Sequence, residues 1–230
     1  MNPITFLTWN LAMLHRSDAA PAQWQQEDTE AAFRTVMLDV DPDVILLQEL
    51  PGLVPFVETH GMVRANPRSH SGNLATLVRH DLLASQPSTL VVPGCAILTT
   101  FHESLSIANV HLAPGVGGTG DRLHQLATIV EASPSACLLI AGDTNTRVDE
   151  LAALAEAGLH GAPPPRPTWD SKKNRFNAGG PRFTAYFTRW FASPGVEVSD
   201  VRVLDSALSV DGHRFHLSDH YPLTGTVRIV

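Results

Sequence analysis

Cysteine is scarce: the 230 residues contain two, Cys95 and Cys137. Each lies inside an apolar run, without metal-ligand spacing to the other, so both are expected to pack in the core. A reducing, cytoplasmic setting fits that usage. Also missing is any Pro/Gly-rich linker dividing the apolar segments, and with 43% hydrophobic residues the chain can bury a large core as a single domain over residues 1–230. No apolar run approaches membrane-spanning length. The chain opens directly on the apolar stretch Ile4–Trp9, with neither a basic leader nor a long apolar run before it, so a soluble, non-exported protein is expected. No internal repeat is visible. Basic charge is in deficit, with Lys+Arg 16 against Asp+Glu 23 and a net charge of −7. That balance argues against a surface evenly coated for duplex DNA, because nonspecific affinity comes mostly from neutralising phosphates.

The basic residues that are present cluster. Between positions 166 and 189 stand Arg166, Lys172, Lys173, Arg175, Arg182 and Arg189, against Asp170 alone. This segment reads as a solvated loop or, with Trp169 beside it, as a substrate-facing one. Pro163, Pro164 and Pro165 stiffen its entry.

Short β-branched and Leu-rich runs recur as expected strands at Ile4–Trp9, Val44–Leu47, Leu74–Val78, Ala96–Phe101, Ser106–Val110, Leu138–Ala141, Val201–Leu204 and Leu223–Ile229. Helical spacing appears at Trp24–Leu38, Arg122–Val130 and Val148–Ala157. Strands and helices interleave, some strands look apolar on both faces, and others lie close enough for hairpins. An α/β sandwich of mixed sheets is expected, not a purely parallel sheet.

Four polar residues share one position type, the C-terminal end of an apolar run: Asn10, Glu49, His111 and Asp143. A single carboxylate there is commonly a solvated strand end or a helix cap. Four together, joined by Asp219 and His220 in the stretch Ser218–Leu223, suggest side chains converging on one cleft with the metal-binding and acid/base groups that phosphate-ester cleavage needs.

These residues occur in motifs. Trp9-Asn10, Gln48-Glu49, Gly142-Asp143-Thr144-Asn145 and Ser218-Asp219-His220 follow one another in the order that marks the endonuclease/exonuclease/phosphatase superfamily, which the chain resembles over nearly its whole length. Within it the chain is most similar to the 5′-tyrosyl-DNA phosphodiesterase branch, through the extended turn to Arg147, Thr168-Trp169-Asp170 and Arg182-Phe183. The resemblance implies a four-layer α/β sandwich, two mixed sheets flanked by helices, and a Mg²⁺- or Mn²⁺-dependent hydrolase.

A hard divalent cation held by one or two carboxylates neutralises charge on the phosphoryl oxygens and leaving group. Glu49 and Asp219 are the expected ligands. Asn10 completes the shell or holds a water on it, or else closes an Asx-turn at the strand end. Asp143 is expected to orient and deprotonate the attacking water, with Asn145 holding that carboxylate or a phosphate oxygen. His220 and His111 would donate hydrogen bonds to the phosphate, or one of them would protonate the leaving oxygen; a buried structural role is the alternative for His111. The resemblance also implies a phosphate contact for Arg147, suited to a planar guanidinium, with a helix-capping or surface role as the alternative, and a substrate approach for Asn73. Trp169 offers a flat face for a base or an aromatic leaving group, with packing in the core as the alternative, while Lys172, Lys173 and Arg175 would meet a DNA strand. Arg122 and Gln125 read as surface and packing residues.

Departures from the pattern qualify the match. The superfamily's histidine-orienting aspartate falls, on the stretch Arg182–Phe187, at Thr184, whose hydroxyl can still hydrogen-bond to the imidazole, more weakly; Asp205 and Asp211 are the other candidates, though neither sits at a matching position. Ala12 stands where the abasic-site nucleases of the superfamily carry aspartate, which disfavours that branch. The expected activity is phosphodiester hydrolysis at DNA ends, including 5′-phosphotyrosyl adducts. The alternatives are hydrolysis of small phosphoesters (nucleotides, sugar phosphates or lipid headgroups) and a noncatalytic binding module that kept the cleft.

Overall fold

The computed structural model describes residues 2–12, 25–50, 58–69, 72–173, 180–210 and 213–230. Along the chain run β1 (Ile4–Asn10), α1 (Gln26–Val40), β2 (Val44–Leu50), β3 (His60–Ser69), β4 (Gly72–Arg79), α2 (His80–Leu83), β5 (Ser88–Val92), β6 (Ala96–Phe101), β7 (Leu105–His111), α3 (Thr119–Ala132) and β8 (Leu138–Asp143). The second half continues with α4 (Leu151–Glu156), β9 (Trp169–Asp170), β10 (Thr184–Ala185), β11 (Thr188–Ala192), β12 (Val196–Val203), β13 (Ala207–Val210), β14 (His213–His216) and β15 (Leu223–Ile229). One sheet has the order β12-β15-β1-β2-β4-β3 and the other β11-β8-β7-β6-β5. Each is mixed, with β1–β2 and β7–β8 as its parallel pair.

The layers follow from which faces are apolar. Phe6, Leu46 and Val78 from the first sheet meet Phe101, Ile107 and Leu139 from the second in the central core. On the outer face of the first sheet, Leu7, Ile45 and Leu77 pack against Ala32, Phe33 and Val36 of α1. On the outer face of the second, Leu98, Ala108 and Ile140 pack against Leu126 and Ile129 of α3 and Leu154 of α4. Burying side chains of this size contributes on the order of 2 kcal/mol each. The result is the expected four-layer sandwich. Cys95 and Cys137 pack within it as free thiols, and burial pushes the Cys95 thiol up to about 11.

Local signals account for the element ends. Asp28 accepts the Gln25 backbone N–H at 2.8 Å where α1 begins. Asp41 adopts a left-handed φ of 45° where it stops, and Pro42 then supplies no N–H to continue the helix. Trp24, expected inside this helix, lies outside the described residues.

Several expectations change. Val148–Ala157 divides into a 3₁₀ turn, Val148–Glu150, and the short α4. The run expected at Val201–Leu204 proves to be the end of the longer β12, which stops at Val203. The strands β3, β5 and β11 carried no recognised apolar run. β5 is an edge strand with exposed Ser88, Thr89 and Leu90, and β11 places Thr188 and Arg189 among its buried residues, which breaks the apolar pattern. Among the described residues no helix is long and apolar enough to cross a membrane.

Candidate active site

The parallel pairs bring the strand ends to one place. Asn10 ends β1, opposite Gln48 of β2, and His111 ends β7, opposite Asp143 at the end of β8. Gln48 closes the floor beneath them, donating to Thr8 at 3.0 Å and across the sandwich to Asn109 at 2.8 Å. Backbone geometry then aims the side chains. Register shifts between Leu47 and Leu50 where β2 pairs with β4, and Glu49 within the shift takes a φ of 51°. Left-handed conformations of non-glycine residues are uncommon and cost free energy, which the surrounding ladder must offset. Asn145 adopts the same region at φ 50°. Between them Gly142 is obligatory: a Cβ there would lie 2.2 Å from the Val110 carbonyl oxygen.

Asn10 joins the acidic groups. Its amide NH₂ donates to Glu49 at 2.9 Å and to Asp143 Oδ2 at 2.8 Å, while its Oδ1 accepts the Ala12 N–H at 2.8 Å in an Asx-turn. The amide oxygen expected to face a metal is therefore engaged within the turn. Two carboxylates need donors and a buried N–H needs an acceptor, and this orientation satisfies all three.

Asp143 also accepts the Asn145 N–H at 3.3 Å, and the Asn145 side chain donates to the Leu112 carbonyl at 3.1 Å. His111 Nε2 lies 3.5 Å from Glu49 and 3.7 Å from Asp143, and His220 Nε2 lies 3.7 Å from the same Asp143 oxygen. Asp219 faces the cleft with Oδ2 accepting the Trp169 indole N–H at 2.9 Å. Burial pushes the carboxyls of both Glu49 and Asp219 above their ordinary range, against the pull of neighbouring histidines.

His220 is held from three sides. Its backbone bridges to Trp169, its carbonyl accepts the Trp9 indole N–H at 3.1 Å, and its Nδ1 meets the Thr188 hydroxyl at 3.1 Å. Here the sequence reading needs correcting: Thr184 is exposed on β10, and Thr188, opposite Asp143 in the β11–β8 register, is the orienting partner. Asp205 instead pairs with Arg214 at 2.9 Å, and Asp211 lies outside the described residues. Trp9 itself stacks on Phe33 with centroids 5.8 Å apart, so α1 supports the histidine through it.

One cleft of about 450 Å³ is lined by the polar groups of Glu49, His111, Asp143, Asn145, Arg147, Asp219 and His220 together with Trp169, Phe187, Ala12, Pro114 and Gly115. The Arg147 guanidinium carbon lies 4.7 Å from the Phe187 ring centroid, and Trp169 is tilted against the same ring at 5.4 Å. Phe187 was not singled out from the sequence; its signal is that its carbonyl accepts from the backbone and hydroxyl of Thr144, beside Asp143.

The remaining expected substrate contacts lie elsewhere. Asn73 sits in β4 opposite Leu50 and does not line the cleft. Neither do Lys172, exposed on the turn after Asp170, and Lys173, whose ammonium lies 6.0 Å from the Tyr221 ring centroid. Arg175 is outside the described residues. The basic segment is less free than its composition suggests. Arg182 binds Asp170 at 2.6 Å, and buried Arg189 donates to the Tyr186 carbonyl at 2.5 Å. Arg122, read with Gln125 as a surface and packing residue, is fully buried.

Glu49, His111 and Asp143 form a group that can hold a metal ion, with one ligand atom from each lying within 4.8 Å of the others. Their chemistry fits a divalent cation: Glu49 and Asp143 converge on one amide, and among the described residues no lysine or arginine forms a salt bridge with either.

Comparison with known proteins agrees with this geometry. Tyrosyl-DNA phosphodiesterase 2 of Xenopus laevis is 29% identical over 199 residues, covering 74% of this chain and 51% of that protein, so the chain spans about half its relative's length. A crystal structure of D. rerio TDP2 complexed with single strand DNA product superposes with a TM-score of 0.72 at 19% identity, covering 99% of this chain and 100% of the other. The human Nocturnin catalytic domain with bound sulfate anion gives a TM-score of 0.62 at 16% identity, covering 99% and 94%. At these identities the two structures establish a shared fold. The sequence model of one family matches residues 7–220, almost the whole of the sandwich and every strand end that meets in the cleft, and the chain belongs to that family, the Endonuclease/Exonuclease/phosphatase family.

Proposed function

We propose that the chain is a Mg²⁺- or Mn²⁺-dependent phosphodiesterase that acts on DNA ends and removes 5′-phosphotyrosyl adducts, a DNA-repair activity. The observation that carries the reading is the make-up of the cleft. The same cleft is lined by carboxylates and imidazoles and by Arg147, which lies over Phe187 beside Trp169. A phosphodiester with an aromatic leaving group presents the complementary parts, an anion and a flat apolar ring. The similarity to the Xenopus laevis enzyme supports the same substrate class.

In this reading Glu49 is the principal ligand, with His111 and Asp143 in reach of the same ion and Asp219 opening on the cleft beside them. A bound divalent ion supplies Lewis-acid stabilisation of charge on the phosphoryl oxygens. Asp143, steadied by Asn10 and the Asn145 N–H, takes the proton of the attacking water. His220, fixed by Thr188, donates a hydrogen bond to the phosphate, and His111 supports it from β7. Arg147 binds a nonbridging oxygen, and Trp169 provides the stacking face. A second reading, hydrolysis of a small phosphoester, draws support from Lys172, Lys173 and Asn73 standing outside the cleft lining.

The test is cleavage of a 5′-phosphotyrosyl oligonucleotide, an unmodified oligonucleotide and bis-p-nitrophenyl phosphate, each with Mg²⁺, Mn²⁺ or EDTA. Metal-dependent release of tyrosine is expected. Cleavage of the small ester alone moves the function to the second reading. In the same assay Lys172→Ala with Lys173→Ala should lower the salt dependence of oligonucleotide binding by about one unit of slope per lysine that meets a phosphate; an unchanged slope removes both lysines from the DNA path.

A further inference from the structure

Behind the cleft lies a second cluster of buried charge. Arg122 of α3 is fully buried, and each of its guanidinium nitrogens is engaged. Nη1 donates to the carbonyls of Ala113 and Gly115, each at 2.8 Å. Nε reaches Glu150 Oε2 at 3.0 Å, and Nη2 reaches Thr119 Oγ1 at 3.2 Å and Glu150 Oε1. Glu150 closes the circuit. Its Oε1 accepts from the Thr119 hydroxyl at 2.7 Å, and its Oε2 accepts the backbone N–H of Arg147 at 3.1 Å. On the same helix Gln125 accepts the Ala113 N–H at 2.9 Å. No space is left over: a Cβ on Gly118 would lie 2.8 Å from the Arg122 guanidinium.

The segments tied together are both cleft walls. Pro114 and Gly115, downstream of His111, and Arg147 all line the cleft. Each is held by backbone atoms bonded to one ion pair, so their separation depends on that pair and not on either loop alone. We propose that Arg122 and Glu150 are positioning residues, which fix the backbone of Arg147 against the Ala113–Gly115 loop and so set how the cleft grips a substrate phosphate. Neither side chain lines the cleft. A planar fork that donates along two directions at once is what this geometry requires, and an ammonium cannot replace it. The inference rests on the phosphodiesterase reading for its kinetic part only.

The experiment uses the full chain carrying Glu150→Gln, and Arg122→Lys as a second variant should the first fold poorly. Hydrogen exchange is followed at residues 113–118 and 147–150, and steady-state kinetics on bis-p-nitrophenyl phosphate. Both segments should exchange about ten-fold faster than wild type while β7 and β8 stay protected. KM should rise about five-fold with kcat within about two-fold, since a grip has loosened and the reacting groups have not moved. In an Arg147→Ala background the KM effect of Glu150→Gln should shrink below about two-fold, because the pair acts through that residue. Unchanged exchange overturns the proposal, as does a fall in kcat with KM unmoved. Should wild type turn over none of the substrates, the proposed function fails while exchange still decides this inference.

Discussion

Glu49, partly buried in the lining of the cleft, and Glu150, fully buried three residues from Arg147 of the same lining, are both glutamates, and their surroundings differ completely. Glu150 is answered by a guanidinium, a hydroxyl and a backbone N–H, and these hold its carboxyl below the ordinary value of 4.5 although burial pushes the other way. Glu49 has a single amide donor shared with Asp143 and a histidine at 3.5 Å, and burial raises its carboxyl. A buried charge left short of partners is costly, so its persistence is informative. The satisfied cluster is scaffold, and the unsatisfied one is where a cation and a phosphate would complete the balance.

The largest effect expected from breaking this contrast is at Asp143. Asp143→Asn keeps the shape but removes the proposed base, and turnover should fall by at least about a thousand-fold with substrate affinity within a few-fold. Single-turnover rates check this, and more than about a tenth of wild-type activity excludes the role. Next is the support of His220. Thr188→Val should lower kcat by about ten-fold by removing its hydrogen-bonding partner, whereas Thr184→Val should leave the rate unchanged. The reverse result would reinstate Thr184.

The smallest effects are in pH dependence, where the two glutamates should act with opposite sign. The lowered carboxyl of Glu150 contributes stability that is present above 4.5 and is lost as pH falls through its folded-state value. The raised carboxyl of Glu49 makes the metal-free fold bind a proton more readily than the unfolded chain does. Its contribution therefore grows as pH falls, while affinity for a divalent cation, which requires the ionised form, declines from a pH above 4.5. Thermal unfolding in EDTA from pH 7 to pH 3, beside Mn²⁺ titrations, separates the two. Glu150→Gln should flatten the acid limb, and Glu49→Gln should weaken metal binding and reduce its pH dependence without flattening that limb.

Much of the site was legible because strand ends have a local signature. Asn10, Glu49, His111 and Asp143 each terminate an apolar run, and parallel pairing brings those ends together. Thr188 was not legible. It and Thr184 stand four positions apart in one polar-aromatic stretch, and only the pairing of β11 with β8 sets Thr188 opposite Asp143. Arg122 was hidden for a related reason: a charged residue on an amphipathic helix normally faces water, and its partner lies 28 positions away. The basic segment misled in the other direction, since composition counts Arg182 and Arg189 as free charge while packing gives one a carboxylate and buries the other.

By itself the sequence determined the alternation of strands and helices, the layered class of fold and the kind of chemistry its strand ends could carry, because periodicity and residue type act over a few neighbouring positions. Only the tertiary structure decided which polar groups meet: that Asn10 joins Glu49 to Asp143, that Thr188 steadies His220, and that Arg122 answers Glu150. Those pairings span distant positions, and their energies depend on separation and on how completely water is excluded, quantities that exist only once the sheets have packed.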